Sequence, residues 1–256
     1  MELRASRTYE RPIDVMNGEE SMDLKMLADR FDQDGYLLLH NFFETDLTRR
    51  LVAPILEHFG DNPAFVHDDD FLEKAKTDVI PWFPQNEGSR DFDFVDEHGD
   101  LQRLTEALLG KGWQGLYCMV MFSKPGSAGQ AWHQDSPPED TAHFNLNRLV
   151  YSRDIDDETG GQTVVVPGSH RRGLLPAGDP WADFNDQLVL RPKAGTLVVL
   201  HGHIWHRVLP VHGQYRYSTN YRAVPAGTPA NITDVCVYRN MRYRFSTEDV
   251  VEERTA

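Results

Sequence analysis

From residue 115 onward the chain is built of short apolar runs: LYCMVMF, LNRLVYS, QTVVVPG, DQLVLRP, GTLVVLHG, WHRVLPV, YRYSTNYRAV and DVCVYR. Stretches rich in Gly, Pro, Asp and His separate them: KPGSAG, DDETGG, PGSHRRG, PKAG, VHGQ and PAGTPAN. About eight short strands at this spacing predict an antiparallel barrel or jelly roll. Upstream the period changes. Residues 22–33 place Leu24, Leu27, Ala28 and Phe31 on one helical face, and Asp34-Gly35 stops that helix. YLLLHNFF at 36–43 reads as a strand. A second helix is expected over 45–59, where Leu47, Leu51, Ile55 and Phe59 recur every four residues, and a third over 99–110. Helices first and strands later predict an all-β core with flanking helices packed on one side as support.

The 256 residues suit one domain, expected over 1–256 with a loose polar arm at 1–21. Residues 60–98 combine Asp runs, prolines and aromatics such as Phe65, Trp82 and Phe92. Two readings stand for them: a lid or binding loop, or an irregular surface excursion. The acidic run Asp68–Asp70 is expected as solvated loop. A net charge of −14 argues against nucleic acid or an anionic membrane as partner and leaves a small molecule as the expected ligand. The N-terminus lacks an apolar signal region, no run approaches membrane-span length, and EERTA is not a peroxisomal signal. Cys118 and Cys236 lie in separate strand-like runs, which predicts buried free thiols in a reducing cytoplasm rather than a disulfide framework.

The chemistry concentrates in WHQD at 132–135. On a strand, His133 and Asp135 at i and i+2 project from one face and can share a metal. H-x-D alone is a weak signal, so a second histidine must come from elsewhere. HGHIWHRVLP offers His201, His203 and His206, and the period of two sets His201 and His203 opposite to His206. Two imidazoles and one carboxylate leave half the ion open, which suits an iron(II) oxygenase whose co-substrate and O2 both bind the metal. Ten residues beyond His206, past the VHGQ turn, comes Arg216, expected on an adjacent antiparallel strand. Arg216 and Ser218 share a face and could hold the distal carboxylate of 2-oxoglutarate. The alternative is a surface arginine on an edge strand.

These stretches together resemble the phytanoyl-CoA dioxygenase family of 2-oxoglutarate oxygenases. FDQDGYLLLHNFF, KPG followed by WHQD, DIDDETGGQTVVVPGSHRRG, AGTLVVLHGHIWHRVLP and YRYSTNYR carry the likeness. The resemblance implies a double-stranded β-helix core, iron on His133, Asp135 and His206, the co-substrate on Arg216, and oxidation of a small organic substrate with release of succinate and CO2. It places the strand ending at Ser123 beside the co-substrate, with Ser123 a further donor. Met119 and Met121, on the same side, are expected as ordinary core. Halogenating relatives replace the aspartate, and Asp135 is present here. The segment after His206, Arg207 to His212, departs from the small polar stretch of many relatives.

Arg148 in LNRLVYS has two readings: it meets an acidic residue, or it points into the pocket to hold a substrate carboxylate. Trp132 is expected to face away from the metal, and His170 to stabilise its turn. Hydroxylation is the expected outcome, with desaturation, epimerisation or ring closure open to the same site. A cupin-like metalloenzyme without 2-oxoglutarate, or a non-catalytic binding module, are the competing classes.

Overall fold

A computed structural model describes residues 13–14, 22–60, 67–247 and 249–255. Two seven-stranded sheets form the core. In order across the first run β1 (Ile13–Asp14), β2 (Tyr36–His40), β9 (Thr196–His201), β6 (Leu146–Tyr151), β11 (Arg216–Val224), β4 (Gln114–Ser123) and β3 (Ile80–Trp82). Across the second run β14 (Asp249–Glu253), β13 (Met241–Arg244), β12 (Val235–Tyr238), β5 (Gln130–Gln134), β10 (His206–Val208), β7 (Thr163–Val165) and β8 (Leu188–Val189). Neighbours are antiparallel except β1 and β2. The arm expected over 1–21 lies outside the described residues apart from 13–14, and Phe65 lies outside them too.

The unbroken apolar runs follow from where the first sheet sits. Its strands β2, β6, β9 and β11 are buried on both faces, so apolar residues need not alternate with polar ones. Tyr36, Leu38, Leu149, Tyr151, Val198 and Leu200 pack together with Val165 of the second sheet. Their alternates Leu37, Leu39, Val150, Leu197 and Val199 pack against helices. Those helices are α1 (Leu24–Asp34), α3 (Val52–Phe59) and α6 (Gly99–Leu109), which bury Leu27 and Phe31, Ile55 and Phe59, and Leu101 and Leu104. Asp23 caps α1 by accepting the Met26 N–H, and Gly35 closes it at φ 76°.

The helix expected over 45–59 is two, α2 (Thr45–Arg49) and α3, with Arg50 and Leu51 between them. Pro54 is the cause. It has no N–H for the Arg50 carbonyl, and its ring crowds that carbonyl. Leu51, Ile55 and Phe59 stay buried across the break, so the apolar stripe survives. Asp68–Asp70 is not a solvated loop. Asp68 caps α4 (Asp69–Ala75), its carboxylate accepting the Asp70 and Phe71 N–H groups, and Phe71 and Ala75 are buried beneath. Past α4 the segment rejoins the core: β3 pairs with β4, and Trp82, Phe92 and Val95 are buried. Its described part is therefore not a surface excursion.

Candidate metal and co-substrate site

His133 and His206 are cross-strand partners on β5 and β10, with ring centroids 4.0 Å apart. Asp135 lies one residue past the end of β5, where its N–H and that of Ser136 donate to the Gly202 carbonyl. One ligand atom from each of the three residues lies within 4.8 Å of the others. His133 Nε2 is 3.7 Å from Asp135 Oδ1, and His206 Nε2 is 3.4 Å from Oδ2. Each imidazole donates its Nδ1–H to a backbone carbonyl, His133 to Ala131 at 2.8 Å and His206 to Ile204 at 3.0 Å. These bonds fix the tautomer and leave both Nε2 atoms unprotonated toward the shared point. All three residues are buried. Burial pushes the His133 pKa down to about 3, and the charge of His206 adds to this. His201 and His203 do not join the group: His201 stacks on Phe144 at 3.8 Å, away from the cavity.

The aspartate is held by residues that the sequence motif does not reveal. Arg222 Nη2 lies 3.1 Å from Asp135 Oδ1, and Asn147 Nδ2 donates to Oδ2 at 2.9 Å. Arg222 also donates from Nε to Asn147 Oδ1 at 2.9 Å and from Nη1 to Tyr117 Oη at 3.0 Å. Asn220 completes the web with a 2.7 Å bond to Asn147 Oδ1. Burial opposes the charge on Asp135, but the Arg222 guanidinium leads the interactions that outweigh it and hold the carboxyl well below the usual carboxylate range. Arg222, Asn220 and Arg216 alternate along β11, so the rule of two that singled out Ser218 also reaches Arg222.

Arg216 opens β11 directly opposite Ser123 of β4, and Ser218 stands opposite Met121. The Arg216 side chain is almost fully buried. It donates from Nε to the Gly161 carbonyl at 3.2 Å and from Nη2 to Tyr151 Oη at 3.3 Å. Its Nη1 has no protein partner, nor do the buried hydroxyls of Ser123 and Ser218. The surface-arginine alternative therefore fails. A buried guanidinium nitrogen without a partner, in the cavity that holds the triad, fits an anionic ligand. Ser123 and Ser218 lie beside Arg216 but not among the residues lining that cavity.

Three expectations need correction. His206 and Arg216 are not on adjacent strands: β10 pairs with β5 and β7 in the second sheet, β11 with β4 and β6 in the first. The segment between them, broken by Pro210, crosses from one sheet to the other, and the two residues meet across the interior. Of the two readings of Arg148, the acidic partner is the one found, and the substrate-binding role falls because Arg148 does not face the pocket. Asn147 and Leu149 take that side of β6, so Arg148 points to the helices. There it meets Asp96 at 2.8 Å, the Tyr221 carbonyl at 2.8 Å and Thr105 Oγ1 at 3.2 Å. Met119 and Met121 are not merely core, since both line the cavity. Trp132 does turn away, donating to the Ala182 carbonyl at 3.1 Å, and His170 ties its turn to α1 by donating to the Asp32 carbonyl at 3.1 Å. Cys118 and Cys236 are free thiols, each pushed up to about 12 by burial. Arg207 is buried against Asp183 and over Trp132, on the outer side of β10.

A sequence model of the phytanoyl-CoA dioxygenase (PhyH) family matches residues 31–216, a span that holds the whole triad and ends on Arg216. The chain belongs to the phytanoyl-CoA dioxygenase family. This PhyH-family chain is 26% identical over 205 residues to the ectoine dioxygenase of Bordetella bronchiseptica, covering 75% of its own length and 65% of that protein. It thus spans just under two thirds of that relative. It is 23% identical over 224 residues to phytanoyl-CoA dioxygenase 1 of Oryza sativa subsp. japonica, covering 69% of itself and 80% of that protein. Among solved structures it resembles SnoN, a non-heme alpha-ketoglutarate-dependent epimerase from nogalamycin biosynthesis, with TM-score 0.65 at 22% identity over 82% of this chain and 86% of that one. It also resembles HygX from Streptomyces hygroscopicus with nickel and 2-oxoglutarate bound, with TM-score 0.61 at 14% identity over 82% of this chain and 88% of that one. At these identities the two structures establish the double-stranded β-helix fold.

Proposed function

We propose that this PhyH-family chain is an iron(II)- and 2-oxoglutarate-dependent dioxygenase that oxidises a small organic substrate, with hydroxylation as its outcome. The observation that carries the reading is one cavity holding three convergent ligand atoms and an unpartnered guanidinium nitrogen. Two imidazoles and a carboxylate suit iron(II) and leave coordination positions open. His133, Asp135 and His206 would hold the ion. Arg216 would seat the distal carboxylate of 2-oxoglutarate, with Ser123 and Ser218 as neighbouring donors. When bound, iron and 2-oxoglutarate supply the oxidising power: one oxygen atom of O2 goes to succinate, the other to the substrate, and CO2 leaves.

The protein's part is placement and dryness. The Ala131 and Ile204 carbonyls hold the imidazoles edge-on. Arg222 and Asn147 hold the carboxylate from behind. Apolar walls from Met119, Leu149, Leu200 and Val208 keep bulk water from the reacting centre. We place the whole chain in one oxygenase domain, with residues 67–81 as a wall or lid over the cavity. No helix among the described residues is long and apolar enough to cross a membrane. The free thiols and the charge of −14 support a cytoplasmic enzyme without nucleic-acid partners.

The test is calorimetric titration of 2-oxoglutarate with and without Mn(II), followed by assay of O2-dependent succinate formation with iron(II). Binding that requires the metal and is lost in Arg216→Ala is expected. Metal binding without any 2-oxoglutarate binding would favour the cupin-like alternative.

A further inference from the structure

The cavity has two unlike ends. Strands of the sheet core line the Arg216 end. Peripheral pieces of chain line the other, namely residues 67–81 and the strands β12 and β13 with the turn after them. Among the described lining residues, apart from histidines, the charged side chains are Asp135, Arg216 and Arg222. Arg222 is committed to Asp135, and Arg216 lies at the co-substrate end. Apart from His67, whose ring is bonded to the Val79 carbonyl at 2.8 Å, the described residues of the peripheral end offer no further cation or anion. Its surface is Val79, Pro81, Tyr238, Tyr243 and Phe245, with the Cys236 thiol kept protonated by burial. The aromatic rings are fixed. Tyr238 stacks on the metal-side imidazole of His133 at 5.0 Å and leans on Tyr243 at 5.6 Å, and Phe245 follows at 6.4 Å from Tyr243. Polar groups of this wall are already bonded, as His67 is to the Val79 carbonyl and Gln130 to Tyr238 Oη at 2.9 Å, whereas the Thr77 hydroxyl is buried and without a partner.

We propose that the substrate is an uncharged, ring-bearing, mainly apolar compound with a hydroxyl or carbonyl group that meets Thr77 Oγ1. This rests on the oxygenase reading above, because it assumes that the Arg216 end is filled by 2-oxoglutarate. A charged head group entering the peripheral end would lose its water and meet no opposite charge. An extended acyl chain would use neither the fixed aromatic faces nor the lone hydroxyl. A ring can lie edge-to-face or offset against Tyr243 and Phe245, where such contacts add to simple area burial.

The experiment uses the full chain loaded with Ni(II), which supports no turnover, and 2-oxoglutarate. Calorimetry measures binding of uncharged aromatic alcohols and ketones of one to three rings (phenol, 2-naphthol, 1-tetralone and flavone), of decanoyl-CoA and of L-lysine. At least one uncharged ring compound is expected to bind tenfold or more tightly than the thioester or the amino acid. Thr77→Val should weaken that compound about threefold to tenfold, and Phe245→Ala about tenfold, with 2-oxoglutarate binding unchanged. The inference is overturned if decanoyl-CoA or L-lysine binds best, if no ring compound binds, or if both substitutions leave affinity unchanged. Loss of Ni(II)-dependent 2-oxoglutarate binding in the wild type would instead bring down the oxygenase reading itself. Retained co-substrate binding with no ring compound bound brings down this inference alone.

Discussion

Arg222 faces Asp135 across 3.1 Å in the interior, so the carboxylate of the candidate triad is one half of a buried ion pair. Breaking such a pair by removing one partner leaves an uncompensated charge. Arg222→Gln is therefore expected to destabilise the metal-free protein by about 3 kcal/mol. Denaturant unfolding measures this, and adding Asp135→Asn to the same chain should restore part of the loss. Turnover should fall about tenfold to a hundredfold in Arg222→Gln, because the carboxylate is no longer held from behind. Wild-type stability and turnover in this variant would remove Arg222 from the site.

Arg216→Ala is expected to weaken 2-oxoglutarate by roughly tenfold to a hundredfold, the worth of a charged hydrogen-bonded contact. Mn(II) affinity should stay within about twofold, a change of under ~0.5 kcal/mol, since Arg216 belongs to the co-substrate end. His133→Ala and His206→Ala should do the opposite, abolishing turnover through metal binding. Calorimetry with metal and co-substrate titrated separately distinguishes the two patterns.

Two glycines press on the two halves of the site, so alanine at each should fail differently. A Cβ on Gly202 would lie 2.3 Å from Ser136 Oγ and 2.8 Å from Asn145 Oδ1, and the Gly202 carbonyl is what holds the Asp135 backbone. A Cβ on Gly161, where φ is 72°, would lie 2.7 Å from Arg216 Cγ. Gly202→Ala should cost about 1–3 kcal/mol of stability and impair metal binding. Gly161→Ala should impair 2-oxoglutarate binding with the metal site intact. Thermal unfolding and the two titrations read the difference, and identical profiles for both variants would contradict the assignment.

The protein should lose stability as pH falls below about 6.5, the ordinary histidine value. Burial holds His201 well below its ordinary pKa, with the charge of His203 adding, and burial lowers His203 and His170 as well. The unfolded chain then binds protons that the folded chain refuses, so this stability is fully present above the unfolded pKa and drains away beneath it. Chemical denaturation of the metal-free protein at pH 7.5, 6 and 5 measures the slope, and His201→Gln should flatten it.

The strands were legible because the centre of the first sheet is buried on both faces and writes apolar runs into β2 and β9. The hairpin β13–β14 was not, because the alternation of MRYR, with Met241 and Tyr243 buried, lasts only four residues, and DVVEE is exposed throughout. The H-x-D pair followed from the period of two, but His201 ends β9, His203 lies in the turn after it and His206 opens β10, so alternation along one strand does not separate the three histidines and His206 rested on the family resemblance. What the sequence hid was topology. No local pattern tells that residues 209–215 change sheets, nor that Asn147 rather than Arg148 takes the cavity side of β6. Arg222 was within reach, since it continues the alternation begun at Arg216, but only a fold shows that it lands on Asp135.

One strand, β11, carries Arg216 at its start and Arg222 six residues on, so a single rigid ruler sets the spacing between the proposed co-substrate seat and the support of the Asp135 carboxylate. The peripheral wall comes from other stretches, residues 67–81 and the final strands. The proposed assignment thus puts reactivity and selectivity on separate segments, so that the second can be rewritten by mutation or by evolution while the first is left alone.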